Sequence, residues 1–219
     1  MRASSSQNTF GYLRMTDPGS FYNDRIGIYG ENISALGWRS VEQQEFRFEV
    51  LTRGLKTSSL KVLDIGCGFG DMYWYLKKNE FSIKSYTGID VSSKMVEIAS
   101  ERILDSNANF YISDYAEFKT STKFDVIFVS GTLNYKTGDS PSERISKLMA
   151  LSSDWLDFNG ELRANFLRSN VDYINSINEH YDMIEVVDSA KNFFSKVEVI
   201  ENYGLYEFTL VASDSRKRG

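Results

Sequence analysis

The chain has 219 residues, 42% hydrophobic and 25% charged, enough for one large domain with an extension and a substantial core. Its net charge is −5 and its sequence pI about 5.1, with Lys and Arg scattered, which argues against a nucleic-acid partner, and the Arg216-Lys217-Arg218 tail is too short to change that. Cys67 is the only cysteine and excludes an internal disulfide, while the absence of a leader-like apolar segment or a membrane-spanning apolar run gives the expectation of a cytoplasmic protein with no membrane partner.

Residues 1–23 are polar and turn-rich, and Tyr22 to Trp38 mixes aromatic residues with glycines, which reads as an ordered lid or connector. Ser40 and Gln43 form a capping-box pattern ahead of Val41, Gln44, Phe48, Leu51 and Leu55 at helical spacing, so one amphipathic helix is expected before the main fold. Lys61-Val-Leu-Asp-Ile-Gly-Cys-Gly-Phe-Gly-Asp71 then reads as a buried strand entering a glycine-rich turn, with the N-terminus of the next helix facing the crevice. The spacing is Asp64-x-Gly66-x-Gly68-x-Gly70, and Asp71 stands where a dinucleotide fingerprint wants glycine or alanine. An acidic residue there suits a cationic ligand better than a pyrophosphate. Asp90 ends a second strand, Tyr86 to Asp90, near the offset at which a carboxylate grips ribose hydroxyls. Together these residues describe a site for a nucleoside that carries positive charge.

Further on, Ser92 caps a helix through Met95, Val96, Ile98, Ala99 and Ile103, and a strand runs from Asn109 to Ile112. Phe124 to Val129 is the longest apolar run of this half and belongs near the sheet centre. Ser140-Pro-x-Glu143 opens a helix that Gly160 ends, and Glu161 to Leu167 alternates as a fifth strand. Asp182-x-x-Glu185 caps a helix whose inner face is Ile184, Val187, Ala190 and Phe194. Val197–Ile200 and Tyr206–Val211, joined around Asn202-Tyr-Gly204, pair antiparallel. The fold class is α/β: a Rossmann-like, doubly wound, seven-stranded and mostly parallel sheet with an antiparallel C-terminal hairpin and helices on both faces.

These motifs resemble the class I S-adenosylmethionine-dependent methyltransferases. Val62 to Gly70 looks like the family's first motif, Gly88-Ile-Asp90 like its acidic ribose loop, Ser113-Asp-Tyr115 like its adenine loop and Phe124 to Ser130 like its fourth strand. Ala35-Leu-Gly-Trp38 with Ser40, Gln44 and Arg47-Phe48, and Leu205-Tyr-Glu-Phe-Thr209, resemble a narrower group of small bacterial and archaeal members. The implied division is an extension, lid and helix over 1–58, a cofactor-binding domain over 59–213 and a basic tail over 214–219. The implied cofactor is S-adenosyl-L-methionine, with S-adenosyl-L-homocysteine as product and a small molecule as acceptor, oxygen or nitrogen being the expected acceptor atom.

By motif position, the resemblance puts Asp64 and the Gly66, Cys67, Gly68 and Gly70 turn around the methionine moiety and Asp90 with Val91 at the ribose. Asp114 falls at the adenine amino group, Tyr115 at the adenine ring, and Ser130 and Gly131 beside the amine and methyl. Each has a plainer alternative: Asp64 as an organiser of the turn, Asp90 as a helix cap, Tyr115 as core. Arg47 either reaches the cofactor carboxylate or is a solvated helical charge. No base stands out; His180, the sole histidine, and Tyr135 are the candidates, with Tyr22, Asn134 and Tyr173 as further wall residues. The fourth strand ends Ser-Gly-Thr-Leu, lacking the Asn-Pro-Pro-Tyr of enzymes that methylate adenine or glutamine amino groups. No Cys/His cluster indicates a metal site. A non-catalytic S-adenosylmethionine binder stays open, and a nucleotide-dependent oxidoreductase is disfavoured by the glycine spacing.

Overall fold

The computed structural model describes residues 17–56, 58–172, 174 and 177–214. The polar stretch before Asp17, Tyr173 and the tail beyond Asp214 lie outside the described residues. In chain order the elements are α1 (Pro18–Tyr29), α2 (Val41–Thr52), β1 (Leu60–Ile65), α3 (Asp71–Lys78), β2 (Ile83–Asp90), α4 (Ser93–Arg102), β3 (Ala108–Ile112) and β4 (Phe124–Val129). After a 3-10 turn at Thr132–Asn134 follow α5 (Pro141–Trp155), β5 (Leu156–Leu167), α6 (Met183–Lys191), β6 (Lys196–Ile200) and β7 (Glu207–Ser213). The strands form one seven-stranded sheet in the order β3-β2-β1-β4-β5-β7-β6, with β4 at its centre. Only β7 runs against its neighbours, pairing antiparallel with both β5 and β6.

Alternation along the inner strands sorts two cores. Val62, Val126 and Phe128 pack with Phe48 and Leu51 of α2 and Met72 and Leu76 of α3. Leu63, Ile65, Ile127 and Val129 face the opposite way, against Ile145, Leu148 and Met149 of α5 and Val186 and Ala190 of α6. Strand β1 therefore has no exposed face, which explains its apolar run.

Several elements depart from the sequence expectations. Two helices precede the sheet, not one: Asp17 accepts the Ser20 N–H at 3.0 Å and Pro18 opens α1. Among the residues of α1 only Gly19 is fully buried, so it carries no apolar stripe for periodicity to reveal. Helix α5 ends at Trp155, five residues before Gly160. The irregular start of β5 takes up the difference, since Phe124 pairs with Leu156 and Val126 with Glu161. Ser140 gives no side-chain cap to α5, and Pro141 alone marks its start. On α6 the expected inner residue Ile184 is 65% exposed, and Val186 is buried in its place.

Arg163 of β5 fixes α2 to the sheet. It is 3% exposed, donates to the Leu51 and Arg53 carbonyls at 2.8 and 2.9 Å, and pairs with Glu161 at 2.5 Å. It thus satisfies carbonyls that the end of α2 would leave unpaired. Arg163→Met is expected to lower stability by about 3 kcal/mol in urea unfolding, and an unchanged midpoint would remove this anchoring role.

Candidate functional site

A cavity of about 1070 Å³ opens at the carboxyl ends of β1, β2 and β4. This is where an open α/β sheet reverses its strand order, so the loops after adjacent strands part and leave a crevice. The volume is slightly above the roughly 300–1,000 Å³ usual for a drug-sized ligand, which leaves room for two ligands together.

Its floor is built from the glycine turn and two buried carboxylates. The N–H groups of Gly66 and Cys67 both donate to the Ile89 carbonyl, at 2.8 and 3.0 Å. Asp90 accepts from Gly68 N–H at 3.0 Å on one oxygen and from Ser92 N–H at 2.8 Å on the other. Gly68 has a φ of +52°, a backbone conformation that L side chains rarely adopt, and this is what calls for glycine there; the atom nearest to an added Cβ, Leu36 Cδ2 at 2.8 Å, is the end of a flexible side chain that can shift. Asp90 is 7% exposed, and burial raises its pKa against the opposing effect of the backbone N–H groups. Asp64 is 3% exposed and accepts the Tyr86 hydroxyl at 2.5 Å. Burial pushes its pKa up to about 7; the Tyr86 bond opposes the shift, and the charges of Asp90 and Asp71 add to it. Asp64, Gly66, Cys67, Gly68, Asp90 and Val91 line the cavity, whereas Gly70 does not. Gly70 caps α3 in a left-handed conformation.

The other loops close around this floor. Ser113 N–H donates to the Asp90 carbonyl at 2.9 Å, and Asp114 accepts the Ala116 N–H at 2.7 Å. Tyr115 belongs to the core, where its hydroxyl donates to the Arg144 carbonyl at 3.2 Å, and it also touches the cavity. Gly131 N–H donates to Asn165 Oδ1 at 2.9 Å, and that amide also reaches Ser130 Oγ at 3.4 Å. At Gly131, with φ of +74°, a Cβ would fall 2.6 Å from the Trp38 ring. Helix α1 covers one side: Ser92 donates to Asn23 Oδ1 at 2.8 Å, and Tyr22 lines the cavity with its pKa pushed up to about 12, first by burial and then by the Asp90 charge.

Arg47 is neither a solvated charge nor a free arm. It is 8% exposed, its Nε donates to both Glu207 oxygens at 2.8 and 3.0 Å, and its guanidinium lies 4.3 Å from the Trp38 ring centre. Glu207, at the start of β7, is 1% exposed and lines the same cavity. Sequence reasoning set Trp38, Arg47 and Glu207 inside resembling stretches without assigning roles to Trp38 or Glu207, and nothing local linked residues 160 positions apart.

The opposite wall comes from the segment after β5. Glu179 N–H donates to the Asn134 carbonyl at 2.7 Å, and Lys136 N–H to the Ile177 carbonyl at 3.2 Å. Tyr181 N–H donates to the Leu167 carbonyl at 2.7 Å, and its hydroxyl donates to the Leu133 carbonyl at 2.7 Å. His180 is therefore held in place although it lies between strand and helix. His180, Asn134 and Tyr135 all line the cavity, and the Tyr135 ring packs at a tilt against Phe21 with centroids 4.5 Å apart.

The donor set tells what such a site accepts. Two buried carboxylates share the floor, and among the described residues neither has a cation as a hydrogen-bond partner. A ligand offering amine and hydroxyl donors satisfies them, whereas a pyrophosphate would face like charge.

A family model described as "Methyltransferase domain" matches residues 62–154. A Mycobacterium tuberculosis protein named as a methyltransferase (Rv1506c) is 31% identical over 160 residues, covering 68% of this chain and 89% of that protein. The malonyl-[acyl-carrier protein] O-methyltransferase 1 of Ilyobacter polytropus is 31% identical over 90 residues, so the chain spans only 33% of that relative. Among solved structures, the N-methyltransferase NodS from Bradyrhizobium japonicum with S-adenosyl-l-homocysteine superposes with a TM-score of 0.67 at 18% identity, covering 87% of this chain and 96% of that one. Magnesium protoporphyrin IX methyltransferase from Synechocystis gives 0.66 at 19% identity, with 90% and 98% covered.

The buried Arg47–Glu207 pair generates a stability prediction. Glu207→Gln alone leaves the guanidinium without its counter-charge and is expected to cost about 3–5 kcal/mol in urea unfolding, whereas Arg47→Met with Glu207→Leu recovers most of that loss. Additive losses in the double variant would contradict the pairing.

Proposed function

We propose that this chain, which belongs to the class I S-adenosylmethionine-dependent methyltransferases, transfers a methyl group to oxygen or nitrogen of a small molecule held above the cofactor floor. The observation that carries the reading is the pair of buried carboxylates, Asp64 and Asp90, on either side of the glycine turn. S-adenosylmethionine supplies a methyl on a sulfonium sulfur, whose departure leaves a neutral thioether.

In this reading Asp90 takes the ribose diol, with Gly68 and Ser92 N–H groups fixing its oxygens. Asp64, Gly66 and Gly131 serve the amino-acid end, Ser130 being oriented by Asn165. Asp114 and Tyr115 serve the adenine. The chain's contribution to rate is then placement: an acceptor lodged between Trp38, Tyr135 and the 177–181 segment is held in line with the methyl. The small-acceptor reading is supported by the cavity volume and by walls that come from the chain's own short segments. Among the described residues no helix is long and apolar enough to cross a membrane.

Calorimetric titration is expected to show micromolar binding of S-adenosylmethionine and S-adenosylhomocysteine and none of NAD or NADP, and tighter NAD binding would overturn the reading. Asp90→Ala should weaken the sulfur nucleosides at least tenfold, about 1.4 kcal/mol, without unfolding the protein. The pH dependence follows from Asp64. Its pKa of about 7 in the free protein means that the carboxyl is protonated below neutrality. A cationic amine beside it favours the ionised form, so binding releases a proton. Affinity is therefore expected to be flat above about pH 7 and to fall toward tenfold per unit below it, and Asp64→Asn should flatten the profile.

A further inference from the structure

Charge is divided unevenly over the cavity wall. Acids outnumber bases on the nucleoside side, where Asp64, Asp90, Asp114 and Glu117 stand against Arg144 and Lys147. Arg144 is already engaged, donating to the Tyr135 carbonyl at 3.0 Å.

The side made by α2 and the turn before β7 differs. The Arg47–Glu207 pair and the Phe46 and Tyr203 rings, with centroids 6.2 Å apart, lay that turn against α2. Arg168 joins the turn to the segment after β5: its N–H donates to the Tyr206 carbonyl at 3.0 Å, and its own carbonyl lies 2.8 Å from His180 Nδ1. Of the charged groups that line the cavity from these segments, Arg47 and Glu207 neutralise each other. That leaves Arg39, the residue before the Ser40 cap of α2. It is exposed and lines the cavity, and it has no hydrogen-bond, ion-pair or ring partner among the described residues. Glu42 and Glu179, which lie on the same segments, do not line the cavity. Tyr206, 66% exposed, and the partly buried Leu205 and Trp38 add apolar surface to this side.

We propose that the acceptor is an organic anion with an apolar body and that Arg39 is the specificity-determining residue that receives its carboxylate or phosphate. This deepens the methyl-transfer reading above and rests on it. A guanidinium offers paired N–H donors that match two oxygens of either group, and such charge-assisted pairs are the strong form of hydrogen bond. The cofactor brings its sulfonium and ammonium charges to the acidic side. What remains for the acceptor is a space with positive charge at the methyl and at Arg39, which favours an anion and repels a protonated amine. Arg39 and Tyr206 stand at the exposed rim, so the anionic group is the outer end of the acceptor. The oxygen or nitrogen that takes the methyl lies inward, toward Trp38 and Gly131.

The test is a calorimetric titration of the full chain loaded with S-adenosylhomocysteine, using four single-ring probes: benzoate, phenyl phosphate, benzamide and benzylamine. At least one acid is expected to bind about tenfold or more tighter than the neutral amide and the amine, and Arg39→Gln to erase that advantage while S-adenosylhomocysteine affinity stays within about twofold. Arg39→Lys keeps the charge without the paired donors and should retain part of the advantage. The tighter of the two acids tells a carboxylate acceptor from a phosphorylated one. Equal binding of the four probes, tighter binding of benzylamine, no binding of either acid, or acid binding unchanged in Arg39→Gln overturns the proposal. So does a loss of S-adenosylhomocysteine affinity in Arg39→Gln of about tenfold, which would give Arg39 to the cofactor carboxylate instead. Failure of the parent chain to bind S-adenosylhomocysteine contradicts the cofactor reading itself, so the two failures are distinguishable.

Discussion

Two carboxylates taken out of water at the ends of adjacent parallel strands set the terms for everything around them. Burying a charge costs several kcal/mol unless it is hydrogen-bonded or neutralised. For Asp90 the compensation is the backbone of the glycine turn and of the α4 entry, which is why Gly68 must adopt its left-handed conformation and why Ser92 sits where it does. For Asp64 the compensation is one tyrosine hydroxyl and partial retention of its proton near neutrality. The unliganded floor is thus an unfavourable electrostatic arrangement that a cationic, hydroxyl-bearing ligand relieves. Stability given up there becomes affinity when such a ligand arrives.

The walls rest on a different kind of contact, between residues far apart in sequence. Arg47 on α2 and Glu207 on β7 neutralise each other, and Trp38 stacks on the guanidinium while its ring edge occupies the space that a Cβ at Gly131 would take. One cluster thereby joins the segment before the sheet, the last strand of the chain and the end of β4. The 177–181 segment is tied on one side to Leu167 and on the other to residues 133–136. Isolated bridges pair Asn178 with Tyr135 and Tyr181 with Arg168. Walls held in this way suit a reaction in which placement supplies much of the rate.

What could be read from the sequence follows how local the physics is. The β1 turn, the Ser40, Ser92 and Asp182 caps and the hairpin around Asn202-Tyr-Gly204 are encoded within a few residues, and each appears as expected. Helix α1 was missed because its stability comes from the Asp17–Pro18 start and from docking on α4, not from an apolar stripe. The true end of α5 was missed because an irregular strand start takes up the residues before Gly160. The Arg47–Glu207 pair, and the fixing of His180 by the Arg168 carbonyl, depend on tertiary contacts that no spacing rule reports. The signals were present as single residues, a histidine in a loop and an arginine on a helix, with nothing local to separate a bonded side chain from a solvated one.

The cofactor floor and the acceptor wall meet in one cavity, which is the physical content of the functional reading. The most direct test is a crystal structure of the protein with S-adenosylhomocysteine. The account predicts the ribose hydroxyls within hydrogen-bond distance of Asp90, the amino-acid end beside Asp64 and Gly66, and the sulfur facing the space bounded by Trp38, Tyr135 and His180. The nucleoside bound elsewhere, or seated with its ribose away from Asp90, would contradict it.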